Sequence, residues 1–131
     1  MHAERDLTAL LRNMQPSLAA TPYVFCTFAD FTLPDGVAPV CQFREAEGLT
    51  AIIDMATAKA KRIDHVFESR MISLTIHSDL AAIGFLAAIC AALAREGISC
   101  NAVSAFYHDH LFVPADRADD AMAVLNALSQ R

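Results

Sequence analysis

The sequence predicts an α+β sandwich of two unequal repeats, with one sheet carrying helices on one face. Three observations carry that expectation. The carboxy-terminal half alternates apolar and polar residues over Met71–His77 and then runs into a long apolar helical stretch. Two further strands and an amphipathic helix follow, so this half reads β-α-β-β-α. The amino-terminal half repeats the plan with a turn-rich loop where the first helix belongs. All 131 residues suit one ordinary domain or two very small ones, and 55% hydrophobic with 19% charged residues is too apolar for disorder.

The elements follow from local pattern. Leu7, Leu10, Leu11 and Met14 recur at helical spacing, and Pro16 ends that helix. Tyr23–Phe28, aromatic and β-branched after Pro22, reads as a strand. Ala29–Pro39, with Pro34-Asp35-Gly36, reads as a loop. Val40–Arg44 is the next strand, Glu45–Gly48 the turn, Leu49–Ile53 a partner strand, and a helix starts near Asp54. In the second half, Ile72, Leu74 and Ile76 share one face of a strand, and Ser73 and Thr75 the other. Ser78 and Asp79 are cap-type residues that predict a helix starting directly after them. Gly97 stands where a left-handed residue closes that helix. Ile98–Phe106 and His110–Val113 read as strands around a turn at Tyr107–Asp109, with Pro114 as a stop. Asp116 is the expected cap of a last helix whose stripe is Ala118, Ala121, Met122, Leu125 and Leu128. The order suggests a ferredoxin-like βαββαβ plan, divided as residues 1–66, with the leading helix, and 67–131. Each half is about 60 residues, too small to be comfortable alone.

Charge and composition exclude several functions. A formal net charge of -5 repels phosphate backbones. The cluster Lys59, Lys61 and Arg62 is interleaved with Asp54, Asp64 and Glu68, as on a solvated helical face, so no nucleic-acid partner is expected. No secretory pattern marks the first residues. The longest apolar stretch, Leu80–Ala94, would extend about 22 Å as a helix against a bilayer core of about 30 Å. No membrane span is expected, and a cytoplasmic location follows. Cys26, Cys41, Cys90 and Cys100 lack a C-x-x-C spacing and read as reduced side chains. No P-loop, G-x-S-x-G, H-E-x-x-H or dinucleotide fingerprint occurs, so neither a cofactor nor catalysis is expected. A Cys100–His77 nucleophile is a coincidence that four cysteines make cheap.

Glu96-Gly97-Ile98-Ser99-Cys100-Asn101 and the run Ala105-Phe106-Tyr107-His108-Asp109-His110-Leu111-Phe112-Val113-Pro114 resemble small stand-alone proteins built from two ACT-like repeats. Glu45-Ala46-Glu47-Gly48-Leu49-Thr50 fits the first repeat of the same proteins. The resemblance implies an ACT-type sandwich whose first repeat is degenerate. It also implies a regulatory module that binds a small molecule such as an amino acid, a homodimer, and a separate metabolic enzyme as its target. The ligand turn of such domains falls here on His77, Ser78, Asp79, Leu80, Ala82 and Gly84, with Asn101 on the neighbouring strand. A helix start suits a carboxylate, and Asp79 or Asn101 could accept from an ammonium. The plainer reading of Ser78 and Asp79 is helix capping, and that of Gly84 is tight helix packing. An interaction module without a small ligand is the alternative function. His108 and His110 would project to one side of a strand, but zinc needs three or four ligands, so they are weak metal candidates.

Overall fold

The computed structural model describes residues 6–76, 79 and 81–130. Its elements run α1 (Leu7–Asn13), β1 (Pro16–Phe28), β2 (Cys41–Arg44), β3 (Leu49–Asp54), α2 (Met55–Ala60), β4 (Val66–Leu74), α3 (Phe85–Arg95), β5 (Asn101–Ser104), β6 (Asp109–Pro114) and α4 (Ala118–Ser129). Two compact units form: Ala20–Ser69, and Met1–Ala19 with Arg70–Arg131. The long strands β1 and β4 contribute to both. Among the described residues no helix is long and apolar enough to cross a membrane.

In the unit 20–69 the strand order is β2-β3-β1-β4. Pro22 has no N–H to give a ladder, and the antiparallel pairing of β1 with β3 accordingly begins at Tyr23, opposite Asp54. Val24, Cys26, Ala51, Ile53 and Ala58 are the buried centre, with Phe28, Leu33 and Val37 packed on it. Residues 29–40 form the expected loop in place of a helix. Asp54 caps α2, its carboxylate accepting from the N–H groups of Ala56 and Thr57.

In the other unit the order is β1-β4-β6-β5. Arg70 donates from both Nε and Nη2 to the Ala19 carbonyl, and Thr75 N–H donates to Gln15 O. These bonds tie the first residues of β1 to β4, so β1 starts at Pro16 rather than at Tyr23. The helices α1, α3 and α4 supply most of the core: Leu10, Phe85, Ile89, Leu93, Ala121 and Leu125 are buried there with Ile72, Leu74, Leu111 and Val113. The α4 stripe is as the sequence predicts. The two hairpins share a register, Cys41 opposite Ile52 and Asn101 opposite Phe112. Burial also follows the same pattern along β3 and β6. The ferredoxin-like expectation, with a degenerate first repeat, is borne out.

Four local expectations are corrected. The helix α3 begins at Phe85, not after Asp79, because Gly84 adopts φ +89 and cannot continue a helix. Asp79 does not cap it: its carboxylate accepts from Ala81 N–H, and its carbonyl from Ala82 N–H, closing a separate turn. Asp116 lies in a 3-10 turn and gives α4 no side-chain cap. Instead Arg117 pairs with Asp120 and donates to Glu96 O. Ile98 is not in a strand. Its N–H bonds Leu93 O while Gly97 N–H bonds Ala94 O, a Schellman closure that buries Ile98 with Leu93.

Two glycines are constrained for different reasons. Gly97 has φ +70 with open space around a notional Cβ, whereas a Cβ on Gly48 would lie 2.9 Å from the Phe28 carbonyl oxygen. Gly97→Ala is expected to cost about 1 kcal/mol from backbone strain alone. Gly48→Ala must displace main chain and costs more, so urea midpoints should fall in the order wild type, Gly97→Ala, Gly48→Ala.

Candidate functional site

Of the residues that the sequence singles out, Asp79, Ala82 and Gly84 lie between β4 and α3, inside the unit that contains residues 70–131. His77, Ser78 and Leu80 lie outside the described residues. Asp79 and Ala82 are joined in the Asx turn, and Gly84 follows as the left-handed residue at the head of α3. Gly84, its N-cap residue, makes no side-chain cap bond. Ala88 N–H reaches back to Gly84 O at 2.9 Å, so the first-turn N–H groups of Phe85, Leu86 and Ala87 have no acceptor within the helix. They give the turn a partial positive charge. Gly84 is thus required by its φ and not by a close neighbour, since a Cβ there would find only Leu7 Cδ2 at 3.7 Å.

Asn101 is exposed at the first position of β5, opposite Phe112. The residue of the β5–β6 hairpin that reaches the end of β4 is His108, whose Nδ1 lies 3.4 Å from Ile76 O. Ala105 N–H closes the hairpin onto His108 O at 3.0 Å. Two residues on, His110 Nδ1 makes a 2.8 Å hydrogen bond with Ser73 Oγ. The rings of His108 and His110 stand 6.4 Å apart and nearly perpendicular. The junction therefore has polar neighbours, Ser73 and His108, that were not assigned to it from sequence. A signal existed for Ser73, which alternates with Ile72 and Leu74 and so lies on the other side of the strand.

The electrostatics favour neutral groups. Burial, then the neighbouring His108, lowers the pKa of His110, against an opposing pull from Asp109. Among the described residues no three His, Cys, Asp or Glu side chains gather to hold a metal. Burial and the adjacent Cys90 push the Cys100 thiol up to about 12, which keeps it protonated and a poor nucleophile. Burial likewise raises Cys26, and all four cysteines are unbridged.

The ACT-domain profile matches this chain twice, over residues 2–70 and 66–127. The chain belongs to the ACT-domain family. A Vibrio cholerae protein of unknown function, described as a "possible transport protein", is similar across the whole length. It is 37% identical with a TM-score of 0.83, covering 95% of this chain and 96% of that one. An Agrobacterium tumefaciens protein superposes with a TM-score of 0.67 at 19% identity, covering 88% and 89%. The ligand-free regulatory subunit of aspartate kinase from Thermus thermophilus shares the fold, with a TM-score of 0.66 at 11% identity, covering 90% and 97%. No curated protein matches the chain. ACT domains are small-molecule-binding regulatory modules, and this ACT protein carries two of them.

The His110 shift has a defined sign. Its folded pKa lies below the unfolded value of about 6.5, so between the two the unfolded chain binds more protons. Stability is full above that range and falls as pH drops through it. Urea midpoints measured between pH 5 and pH 7.5 should rise with pH, and His110→Gln should flatten the profile.

Proposed function

We propose that this ACT protein is a regulatory module that binds an amino acid or a close relative at the β4–α3 junction and has no catalytic activity of its own. One observation carries the reading: α3 starts behind a left-handed Gly84 with no side-chain cap, directly after a turn holding the Asp79 carboxylate. A ligand carboxylate would take the first-turn N–H groups of α3. Its ammonium would sit against the Asp79 carboxylate, an acceptor-only group. The binding set is then His77, Ser78, Asp79, Leu80, Ala82 and Gly84, with Asn101 on β5 and His108 at the hairpin. The fold shared with the Thermus aspartate kinase regulatory subunit supports a regulatory role. In this reading the repeats span 1–66 and 67–131, the protein works in the cytoplasm as a homodimer, and a separate metabolic enzyme is its target.

A thermal-shift panel of the twenty amino acids tests the proposal. A ligand at 100 times its dissociation constant stabilises the native state by about 2.7 kcal/mol, so the binder should raise the midpoint clearly. Asp79→Asn keeps an acceptor for Ala81 N–H but removes the charge, and should weaken that ligand about tenfold or more. If none of the twenty shifts the midpoint, or the variant binds as wild type does, the reading fails.

A further inference from the structure

The unit 20–69 contains a cleft of its own, about 440 Å³ in volume, within the range of about 300–1,000 Å³ that small-molecule sites occupy. Its floor is one face of the sheet. Phe25 and Thr27 alternate on β1 with the core residues Val24 and Cys26, and Thr27 lies opposite Thr50 of β3. The rim comes from two chain reversals: Glu45 stands at the β2–β3 turn, and Asp64, His65 and Val66 form the connection from α2 to β4. That connection is bracketed by left-handed backbone at Arg62 and Phe67, and the Phe67 ring packs edge-on to Phe25 at 5.7 Å.

The chemistry of the lining is one-sided. Glu45 is held in place by the Thr50 hydroxyl, which donates to its Oε1. His65 Nδ1 lies 2.9 Å from Ile63 O; a carbonyl only accepts, so Nδ1 carries the hydrogen. Glu45, Asp64 and His65 thus line the cleft, and among the described residues no Lys or Arg does. An anion would meet two like charges. A bare metal ion lacks a site, since no three ligating side chains gather among the described residues. Apolar surface is also present: Phe25 lines the cleft, and Val66, at the start of β4, is 69% exposed.

We propose that this cleft binds a small organic ammonium ion with an apolar body, its charge between Glu45 and Asp64 and its hydrocarbon part against Phe25 and Val66. The binding set shares no residue with the β4–α3 junction, so the outcome here is independent of the function proposed above.

The test uses the full chain with 2-phenylethylammonium as the probe and phenylacetate as its charge-reversed counterpart, followed by amide NMR shifts. Saturable shifts are expected at Phe25–Thr27, Glu45, Thr50 and Asp64–Val66 with the ammonium and none there with phenylacetate. Glu45→Gln, which retains an acceptor for Thr50, and Asp64→Asn should each weaken the probe about tenfold or more with the urea midpoint unchanged. Equal response to both ions, shifts confined to other residues, no saturable shifts, or wild-type affinity in both variants would overturn the proposal. Should Glu45→Gln fail to fold, Asp64→Asn and the phenylacetate comparison decide it.

Discussion

Burial of one face of α3 is the constraint on which the larger unit rests. Phe85, Ile89, Ala92 and Leu93 recur at helical spacing and are all buried, in one cluster with residues of α1, α4 and β6. Each fully buried aliphatic or aromatic side chain there contributes about 1.5–3 kcal/mol, and none has a counterpart in the unit 20–69. There the chain between β1 and β2 is the loop 29–40, and the buried centre is correspondingly small. The same strand-and-hairpin scaffold thus supports a full helical layer in one repeat and a loop in the other.

Fixing α3 at both ends also fixes the chemistry beside it. Gly84 and Gly97 both take positive φ, so the helix can neither extend back toward Asp79 nor run on into β5. At its carboxyl end the carbonyls are closed by Gly97 and Ile98. At its amino end the N-cap residue Gly84 has no side chain to cap it, and the Asp79 carboxylate accepts from Ala81 in the preceding turn. The asymmetry leaves donors at one end only. The first turn of such a helix presents positive polarity to its surroundings.

Much of the fold was legible because its signals are local. Pro22 marks the beginning of the β1–β3 ladder, Gly97 the end of α3, and Pro34-Asp35-Gly36 the loop. What was not legible depends on partners distant in sequence. The extension of β1 back to Pro16 rests on Arg70 and Thr75, which reach the carbonyls of Ala19 and Gln15. The start of α3 was hidden by composition: Ala81 and Ala82 are good helix formers, and a glycine at position 84 reads as a tolerated interior residue until its φ is known. The junction was read as a helix starting directly after Asp79, whereas α3 starts at Phe85, and His108 reaches Ile76 O only through the β5–β6 hairpin. The cleft in the other unit was invisible, because Arg62 and Phe67 turn the chain in left-handed conformations that neither residue type signals.

The two repeats cover related scaffolds differently. After β4 the chain supplies α3, whose N-terminus carries a partial positive charge. After β1 it supplies the loop 29–40, whose Leu33 and Val37 pack on the core in place of a helix. Divergence of this kind needs no change in hairpin register, since Cys41 and Asn101 hold equivalent places opposite Ile52 and Phe112. It needs only a different connection between the first strand of the repeat and that hairpin. The length of that connection, more than the identity of any one side chain, therefore decides whether a helical layer or a loop covers the core of each half.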